Sequence, residues 1–235
     1  MTTDITATLR SLRVWDPEVT TLPPFDPATA PDDPLPLFAE WLAGAAAAGQ
    51  PEPHTMSLAT ADDAGRPDVR IVMLHGADAD GWSFATHSVS RKGTQLAARP
   101  YAALCFYWPL LGRQVRVRGP VAVAPADEAQ AGLRVRSAGA LAAALTGRQS
   151  AVLPSLDELT RASEAAWEQA REAPDTPAPT WTLYRLRARE VEFFQGDPDR
   201  RHLRLAYRRA DDGADAGADD GADTGGAWSR LLLWP

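Results

Sequence analysis

The feature that most constrains the fold is a series of short apolar segments separated by tight turns. The clearest case is a predicted hairpin, in which "TMSLATA" and "VRIVMLHG" flank the turn sequence "DDAGRP". Further segments of this kind follow up to about Pro125 and return near the end of the chain: "WSFATH", "YAALCFYWP", "RQVRVRGPVAVAP", "WTLYRLRAREVEFFQG", "RHLRLAYRR" and "AWSRLLLWP". Several short antiparallel strands in succession predict a β-barrel or a β-sandwich.

Helical patterns accompany these strands. Residues 33–49 predict a helix that Asp33 caps, with Pro34 in its first turn and Gly49 at its end. Two short helices are predicted within residues 125–150. A longer one follows, opened by the capping box Ser155–Glu158. We expect it to pack on the strands through an apolar stripe made of Leu156, Leu159, Ala162, Ala166 and Ala170.

Charge and composition exclude several classes of partner. The 235 residues carry a net charge of −7, which argues against general nucleic-acid or anionic-membrane binding. Six of the acidic residues are aspartates in the segment Asp211–Gly226, between the last two predicted strands. Its Asp, Gly and Ala composition cannot form a core, so residues 211–226 are predicted to be a disordered loop. Residues 1–32, rich in Pro and Thr, are predicted to be an extended arm with room for one short helix.

Other simple signals are negative. Cys105 is the one cysteine, which excludes an intramolecular disulfide, and the four histidines show no metal-ligand spacing. We therefore expect no metal site. The N-terminus lacks the apolar core of a secretion signal, and no segment has the apolar length needed to span a bilayer. The sequence thus predicts a soluble cytoplasmic protein.

The stretch "FATHSVSRKG" places two cations at the start of a short predicted helix. Ser90 is a suitable N-cap, and Arg91 and Lys92 follow it directly. Cations normally favour the helix C-terminus, because the macrodipole is positive at the N-terminus. One interpretation is an anion bound by the helix N–H groups and both side chains. The other is an exposed basic pair, which is a common surface feature and explains the same residues.

Polar side chains also share faces of otherwise apolar strands. In "RQVRVRG", Gln114, Arg116 and Arg118 alternate with valines. In "DRRHLRLAYRR", the alternation places on one face Arg200, His202, Arg204 and Arg208. Such faces are ordinary where an antiparallel sheet meets water. An RNA-binding sheet would interleave exposed aromatics with the basic residues, and none are arranged that way.

Seven pieces of the sequence, each weak alone, occur in one order: "RIVML", "FATHSVSRKG", "FYWPLLGRQVRVRG", "GRQS", "VEFFQG", "RRHLRLAYRR" and "AW…LWP". Together, over about 33–235, they resemble the pyridoxamine 5′-phosphate oxidase family of FMN-dependent split barrels. The resemblance implies a mainly β fold with peripheral helices, an antiparallel split β-barrel of Greek-key type that forms a homodimer. It further implies a single FMN-binding domain over 33–235, with the dimerisation segment at 181–235 and flavin at the subunit interface.

The resemblance also assigns cofactor-binding residues. The contacts to the FMN phosphate and ribityl chain fall on Arg70, Arg91, Lys92, Gln149 and Ser150. The flavin ring is met by four further residues, namely Thr86, Gln114, Phe194 and Arg204. Phe194 stands where the family usually has tryptophan, a conservative aromatic change.

The substrate side matches the family less well. Arg200 and His202 fall on the catalytic positions that orient the substrate, and Arg136 on a phosphate-binding position. His75 is a substrate-binding position at which the family has lysine, and the other departures are Gly132 for tyrosine, Ala140 for serine and Leu203 for aspartate. Strand alternation would put Arg70 and His75 on opposite faces unless the strand ends before His75. Recognition of a substrate phosphate is therefore weakened, whereas the flavin positions are kept.

Three functions fit this pattern. The first is an FMN-dependent oxidase that converts pyridoxamine or pyridoxine 5′-phosphate to pyridoxal 5′-phosphate with molecular oxygen as acceptor. The second applies the same flavin chemistry to a related heteroaromatic, as in phenazine-biosynthesis oxidases. The third is a non-catalytic protein that binds FMN or pyridoxal phosphate. A deazaflavin reductase is disfavoured by the complete C-terminal strand segment.

Overall fold

The computed structural model describes residues 4–12, 15, 18, 20–209 and 227–235. The predicted acidic loop at 211–226 lies outside these residues. The helices are α1 Ile5–Ser11, α2 Pro34–Ala47, α3 Arg91–Ala98, α4 Ala126–Arg134, α5 Ala138–Thr146 and α6 Leu156–Glu172. The strands are β1 Thr55–Ala61, β2 Pro67–Met73, β3 Gly76–Asp78, β4 Gly81–His87, β5 Tyr101–Trp108, β6 Arg113–Val123, β7 Trp181–Leu186, β8 Glu190–Gln195, β9 Leu203–Arg209 and β10 Trp228–Leu232.

The chain forms two compact units. The first unit comprises residues 1–53, 107–115 and 192–235, and the second comprises 54–106 and 116–191. In the second unit, β1 pairs antiparallel with both β2 and β5, and β4 pairs antiparallel with both β3 and β7. In the first unit, β9 pairs antiparallel with β10. The predicted hairpin of "TMSLATA" and "VRIVMLHG" is therefore confirmed as β1 and β2.

The core of the first unit forms around α2. Asp33 caps this helix by accepting from the Leu35 N–H, and Pro34 occupies its first turn, as predicted. Trp41 is fully buried, and its ring meets Phe193 edge to face at 5.1 Å between centroids. The Arg113 guanidinium lies 4.2 Å above the Trp41 ring. Helix α2 thus anchors the strand ends that carry several candidate site residues.

In the second unit, the three helices α4, α5 and α6 pack around small apolar side chains. The cluster includes Leu133, Leu141, Ala166 and Ala170. The two short helices and the Ser155 cap of α6 are confirmed, with Ser155 Oγ accepting from the Glu158 N–H. The predicted stripe on α6 is buried only in its second half, since Leu156 and Leu159 are 76% and 48% exposed. Helix α5 has 9 residues against 17 in α6, so it covers only part of the longer helix.

The polar face predicted for "DRRHLRLAYRR" is only partly correct. Strand β9 begins at Leu203, so Arg200 and His202 lie in the preceding loop and do not follow strand alternation. Within the strand, Ala206 is buried like its neighbours Leu205 and Tyr207, so both sides of its centre are covered. The face of β6 is as predicted, because Val115 and Val117 are buried while Arg116 and Arg118 are exposed.

Among the described residues, no helix has the length and apolarity to cross a membrane.

Candidate functional site

The turn from β4 into α3 is built by short-range contacts of Ser90 and Gly93. Ser90 Oγ accepts from the Gly93 N–H at 3.2 Å and donates to the His87 carbonyl at 2.7 Å. A Cβ on Gly93 would lie 2.6 Å from the His87 carbonyl oxygen and closer still to that of Ser88, so this position has room only for glycine. The first turn of α3 is therefore pressed against the preceding turn, which fixes the positions of Arg91 and Lys92.

Lys92 is the most unusual charge in this region. It is 8% exposed, and its Nζ donates to Gln149 Oε1 at 2.8 Å and to Thr86 Oγ1 at 3.1 Å. Burial lowers the pKa of Lys92, the neighbouring charge of Arg70 lowers it further, and the charge of Asp68 opposes them only in part. Within the described part of the chain, the ion pairs do not include Lys92. Because a buried cation is costly without an anion, this arrangement suits a negatively charged ligand.

Further contacts complete what we call the Lys92 cluster, which consists of Thr86, Arg91, Lys92, Gln149 and Ser150. Thr86 Oγ1 donates to Gln149 Oε1 at 2.9 Å, and the Arg91 N–H donates to Ser150 Oγ at 3.2 Å. Ser150 has a left-handed backbone with φ of 73°, a conformation that non-glycine residues adopt only under local constraint. The cluster thus joins the start of α3 to the segment after α5, two regions about 60 residues apart.

Arg70 lies on β2 and is held by neutral and charged partners. Its Nη1 donates to Thr60 Oγ1 at 2.6 Å, and its Nη2 donates to Gln95 Oε1 at 3.1 Å. Asp68 pairs with the same guanidinium at 2.8 Å. The Arg70 charge is therefore partly balanced within the chain, unlike that of Lys92. Sequence reasoning missed Thr60 and Gln95, which are 10 and 25 positions from Arg70, and it did not single out Asp68 on the same strand.

Two cations and several hydroxyl and amide groups in one place form a donor set that fits a phosphate dianion. Lys92 and Arg91 offer charge and Ser150 offers a hydroxyl, whereas the Thr86 hydroxyl and the Arg91 N–H already donate to Gln149 and Ser150. The observation that decides the fit is the buried ammonium of Lys92, which only neutral acceptors meet among the described residues. The 5′-phosphate of FMN matches this donor set in charge and hydrogen-bonding capacity.

His75 lies beyond the end of β2, which stops at Met73, so strand alternation does not fix its side relative to Arg70. Its ring centroid is 6.5 Å from that of Trp181. Burial lowers the pKa of His75 to about 4, with smaller contributions from the charges of Arg136 and His54. His75 is therefore neutral at pH 7.

The remaining candidate residues, apart from Arg136 in the second unit, belong to the first unit. His202 Nδ1 accepts from the Asp197 N–H at 3.1 Å, which leaves the proton of the neutral ring on Nε2. The rings of His202 and Phe194 lie 5.3 Å apart. Arg200 is exposed and has a left-handed backbone with φ of 66°. Gln114 is half-buried on β6. This unit therefore brings Phe194 and His202 together, as an aromatic and a hydrogen-bonding group side by side.

Trp15 is a neighbour that sequence reasoning missed. Its ring lies 5.4 Å from His202 and 6.4 Å from Phe194. A Cβ on Gly196 would lie 2.7 Å from the Trp15 ring, so glycine at this position lets the indole approach. The sequence placed Trp15 in the N-terminal arm, to which no contacts were assigned. The one sequence signal for a contact was a single aromatic residue within that arm.

Arg204 is held on β9 by groups of the same unit. Its Nε and Nη2 donate to the two carboxylate oxygens of Glu192 at 2.9 and 3.1 Å. Its Nη1 donates to the Trp234 carbonyl at 2.8 Å. Glu192, which local sequence patterns do not single out, is only 3% exposed.

Comparison with known families gives two matches. Residues 42–170 match the family described as pyridoxamine 5′-phosphate oxidase, and residues 181–235 match the pyridoxine 5′-phosphate oxidase C-terminal dimerisation region. The chain is 43% identical over 189 residues to the pyridoxine/pyridoxamine 5′-phosphate oxidase of Pseudomonas fluorescens, covering 78% of this chain and 86% of that protein. It is 44% identical over 178 residues to that of Polynucleobacter asymbioticus, covering 76% and 84%.

Solved structures show the same fold. PhzG from Burkholderia lata, crystallised with tetrahydrophenazine-1-carboxylic acid, aligns with a TM-score of 0.81 at 28% identity over 92% of this chain and all of that one. An FMN-binding protein from Nostoc punctiforme, related to pyridoxamine 5′-phosphate oxidase, aligns with a TM-score of 0.64 at 21% identity over 89% of this chain and all of that one. The predicted fold class, a mainly antiparallel split barrel with peripheral helices, is confirmed. The match to a dimerisation region supports the predicted homodimer.

Proposed function

Because the chain belongs to the pyridoxamine 5′-phosphate oxidase family of FMN-dependent oxidoreductases, we propose that it binds FMN and oxidises pyridoxamine or pyridoxine 5′-phosphate to pyridoxal 5′-phosphate. The acceptor is molecular oxygen. The proposal extends to the assignment of cofactor and substrate residues made from the sequence, and to a single FMN-binding domain over 33–235.

The observation that carries flavin binding is the buried ammonium of Lys92. Its partners are the neutral oxygens of Gln149 and Thr86, and Arg70 adds a second positive charge to its surroundings. A phosphate dianion offsets both charges and accepts from the side chains of Lys92 and Arg91. This is a strong reason to build two cations into the N-terminal end of a helix, where the macrodipole disfavours them.

The roles of the chain's own residues follow from their contacts. When bound, FMN would supply a two-electron acceptor for the hydride of the substrate's carbinol or aminomethyl carbon, with oxygen as the final acceptor and, for the amine, water releasing ammonia from the imine. His202 presents its Nε2–H to the substrate, because the Asp197 N–H occupies Nδ1. Arg200 and Arg136 attract the anionic groups of the substrate. Phe194 covers an apolar ring face beside His202.

A homodimer is part of the proposal. Strand β2 exposes an apolar face in the single chain, since Val69, Ile71 and Met73 are 63%, 66% and 45% exposed. A row of this kind on one strand is a poor surface to leave in water and a suitable one to bury against a second copy. Under this proposal, the partner subunit contributes the second set of flavin contacts.

One observation favours a second candidate, the oxidation of a related heteroaromatic that lacks a phosphate. His75 is neutral at pH 7, so this position lacks the charge that a lysine would supply. PhzG, which aligns over the whole of its length, was crystallised with a tricyclic carboxylic acid. For such a ligand, Arg136 and Arg200 would supply the positive charge for a single carboxylate.

Anaerobic mixing of the FMN-loaded protein with candidate substrates separates these proposals. Pyridoxine 5′-phosphate should bleach the absorbance of the oxidised flavin at about 450 nm within one turnover. Unphosphorylated pyridoxine serves as the matched control, since it keeps the reacting carbon and lacks the anion. Bleaching by a heteroaromatic carboxylate alone would favour the second candidate. A flavin that binds and is bleached by neither would leave the non-catalytic binding protein, and a chain that takes up no FMN would overturn all three.

A further inference from the structure

Three hydrogen bonds hold the guanidinium of Arg204 in one orientation. The carboxylate of Glu192 accepts from Nε at 2.9 Å and from Nη2 at 3.1 Å, and the Trp234 carbonyl accepts from Nη1 at 2.8 Å. The Glu192 side chain is 4% exposed and that of Arg204 is 27% exposed. Because a guanidinium is planar, a carboxylate that takes two of its N–H groups fixes the plane of the whole group.

We propose that Glu192 is a positioning residue, which orients Arg204 toward the bound flavin and balances its charge. The proposal rests on the proposed function, because the flavin contact of Arg204 comes from family resemblance. Without a carboxylate, the guanidinium would bring a full positive charge to the cofactor. With Glu192 beside it, Arg204 offers oriented hydrogen bonds while the pair as a whole carries no net charge. The pair therefore influences both the affinity for FMN and the ease of its reduction.

The Trp234 carbonyl contributes a contact of a different kind. It is a backbone acceptor, so replacing the Trp234 side chain leaves it in place. The indole itself is 92% exposed. The C-terminal residues after β10 thus help to orient Arg204 through the main chain, and the identity of the side chain at 234 is not required for this contact.

Strand β8 offers a matched control. Glu190 lies two residues before Glu192, is 9% exposed, and pairs with Arg118 at 3.2 Å. Both glutamates are therefore buried acids paired with an arginine, but Arg118 is not a candidate site residue. A general effect of removing a buried carboxylate from β8 should therefore appear whether Glu190 or Glu192 is replaced. An effect on the flavin appears only where the partner is Arg204.

The test compares FMN-loaded wild type with Glu192→Gln and Glu190→Gln. Measurements are the FMN dissociation constant by fluorescence quenching and the two-electron midpoint potential by spectroelectrochemistry. In Glu192→Gln, we expect FMN to bind about tenfold more weakly, because the amide cannot accept from both nitrogens. The uncompensated guanidinium favours the more negative reduced flavin, so the potential rises by ~30 mV, equivalent to about tenfold in the reduction equilibrium. Glu190→Gln should match wild type in both measurements.

Other outcomes have definite meanings. Equal potentials and affinities in the two variants would overturn the role of Glu192 while leaving the proposed function intact. Wild type that takes up no FMN would remove both. If Glu192→Gln does not fold, Glu192→Asp keeps the charge with a shorter reach, so FMN affinity should fall while the potential stays at the wild-type value. A raised potential in Glu192→Asp would contradict the charge-balance argument.

Discussion

Replacing Lys92 by methionine separates ligand binding from folding, because the two should change in opposite directions. Methionine keeps most of the length and the apolar stem of lysine, which is 8% exposed as a residue, but removes the ammonium that donates to Gln149 and Thr86. Burial disfavours the charged form, as the lowered pKa of Lys92 indicates. Without a ligand, the variant should therefore be at least as stable as wild type.

The magnitude for FMN follows from the contact that is lost. A hydrogen bond to a charged group contributes about 1.5–3 kcal/mol, so FMN should bind about 10- to 150-fold more weakly. The loss should be largest at low ionic strength, since the removed interaction is between opposite charges. Thermal unfolding of the ligand-free variant should show no decrease in the free energy of unfolding. The FMN titration should show the full loss of affinity.

Arg99→Met is the matched control. Arg99 lies at the end of the same helix and donates to the Asp63 carbonyl, outside the Lys92 cluster. Arg99→Met removes one positive charge from the opposite end of the same helix, so a general charge effect would appear in both variants. Wild-type FMN affinity in Lys92→Met would refute the phosphate assignment. An equal loss in both variants would show that net charge, rather than a built site, governs binding.

Three further predictions concern the same regions. Gly93→Ala should destabilise the protein by about 1–3 kcal/mol, because its Cβ would clash with the carbonyl oxygens of His87 and Ser88. Gly132→Ala should instead stabilise α4 by about 0.5–1 kcal/mol, since open space surrounds that position. Chemical denaturation measures both free energies of unfolding, and equal effects would contradict the steric argument. His75 has a pKa of about 4 in the folded protein against an ordinary value of 6.5, so the stability it contributes is present above pH 6.5 and is lost as the pH falls toward 4. His75→Gln should therefore narrow the drop in melting temperature between pH 7 and pH 5, and an unchanged drop would locate the acid sensitivity elsewhere. His75→Lys should tighten pyridoxal 5′-phosphate binding if the pocket takes a phosphate, and unchanged affinity by equilibrium titration would show that His75 does not face the substrate.

Local sequence was sufficient to predict much of the secondary structure. The Asp33 and Ser155 caps, the β1–β2 hairpin and the start of α3 at Arg91 all occur as predicted, because caps and turns depend on residues within a few positions of each other. The ordered sequence pieces likewise predicted the family and the fold class, which the matches to residues 42–170 and 181–235 confirm.

The effects of distant residues on one another depend instead on the folded chain. The sequence allowed Arg91 and Lys92 to be explained as surface residues, and only the contacts of Lys92 with Gln149, 57 positions away, showed a buried cation. The same holds for Glu192 beside Arg204 and for the neutral state of His75, whose pKa depends on burial. Desolvation and charge pairing depend on distance in space, and local sequence patterns carry no information on which remote groups exclude water from a given side chain.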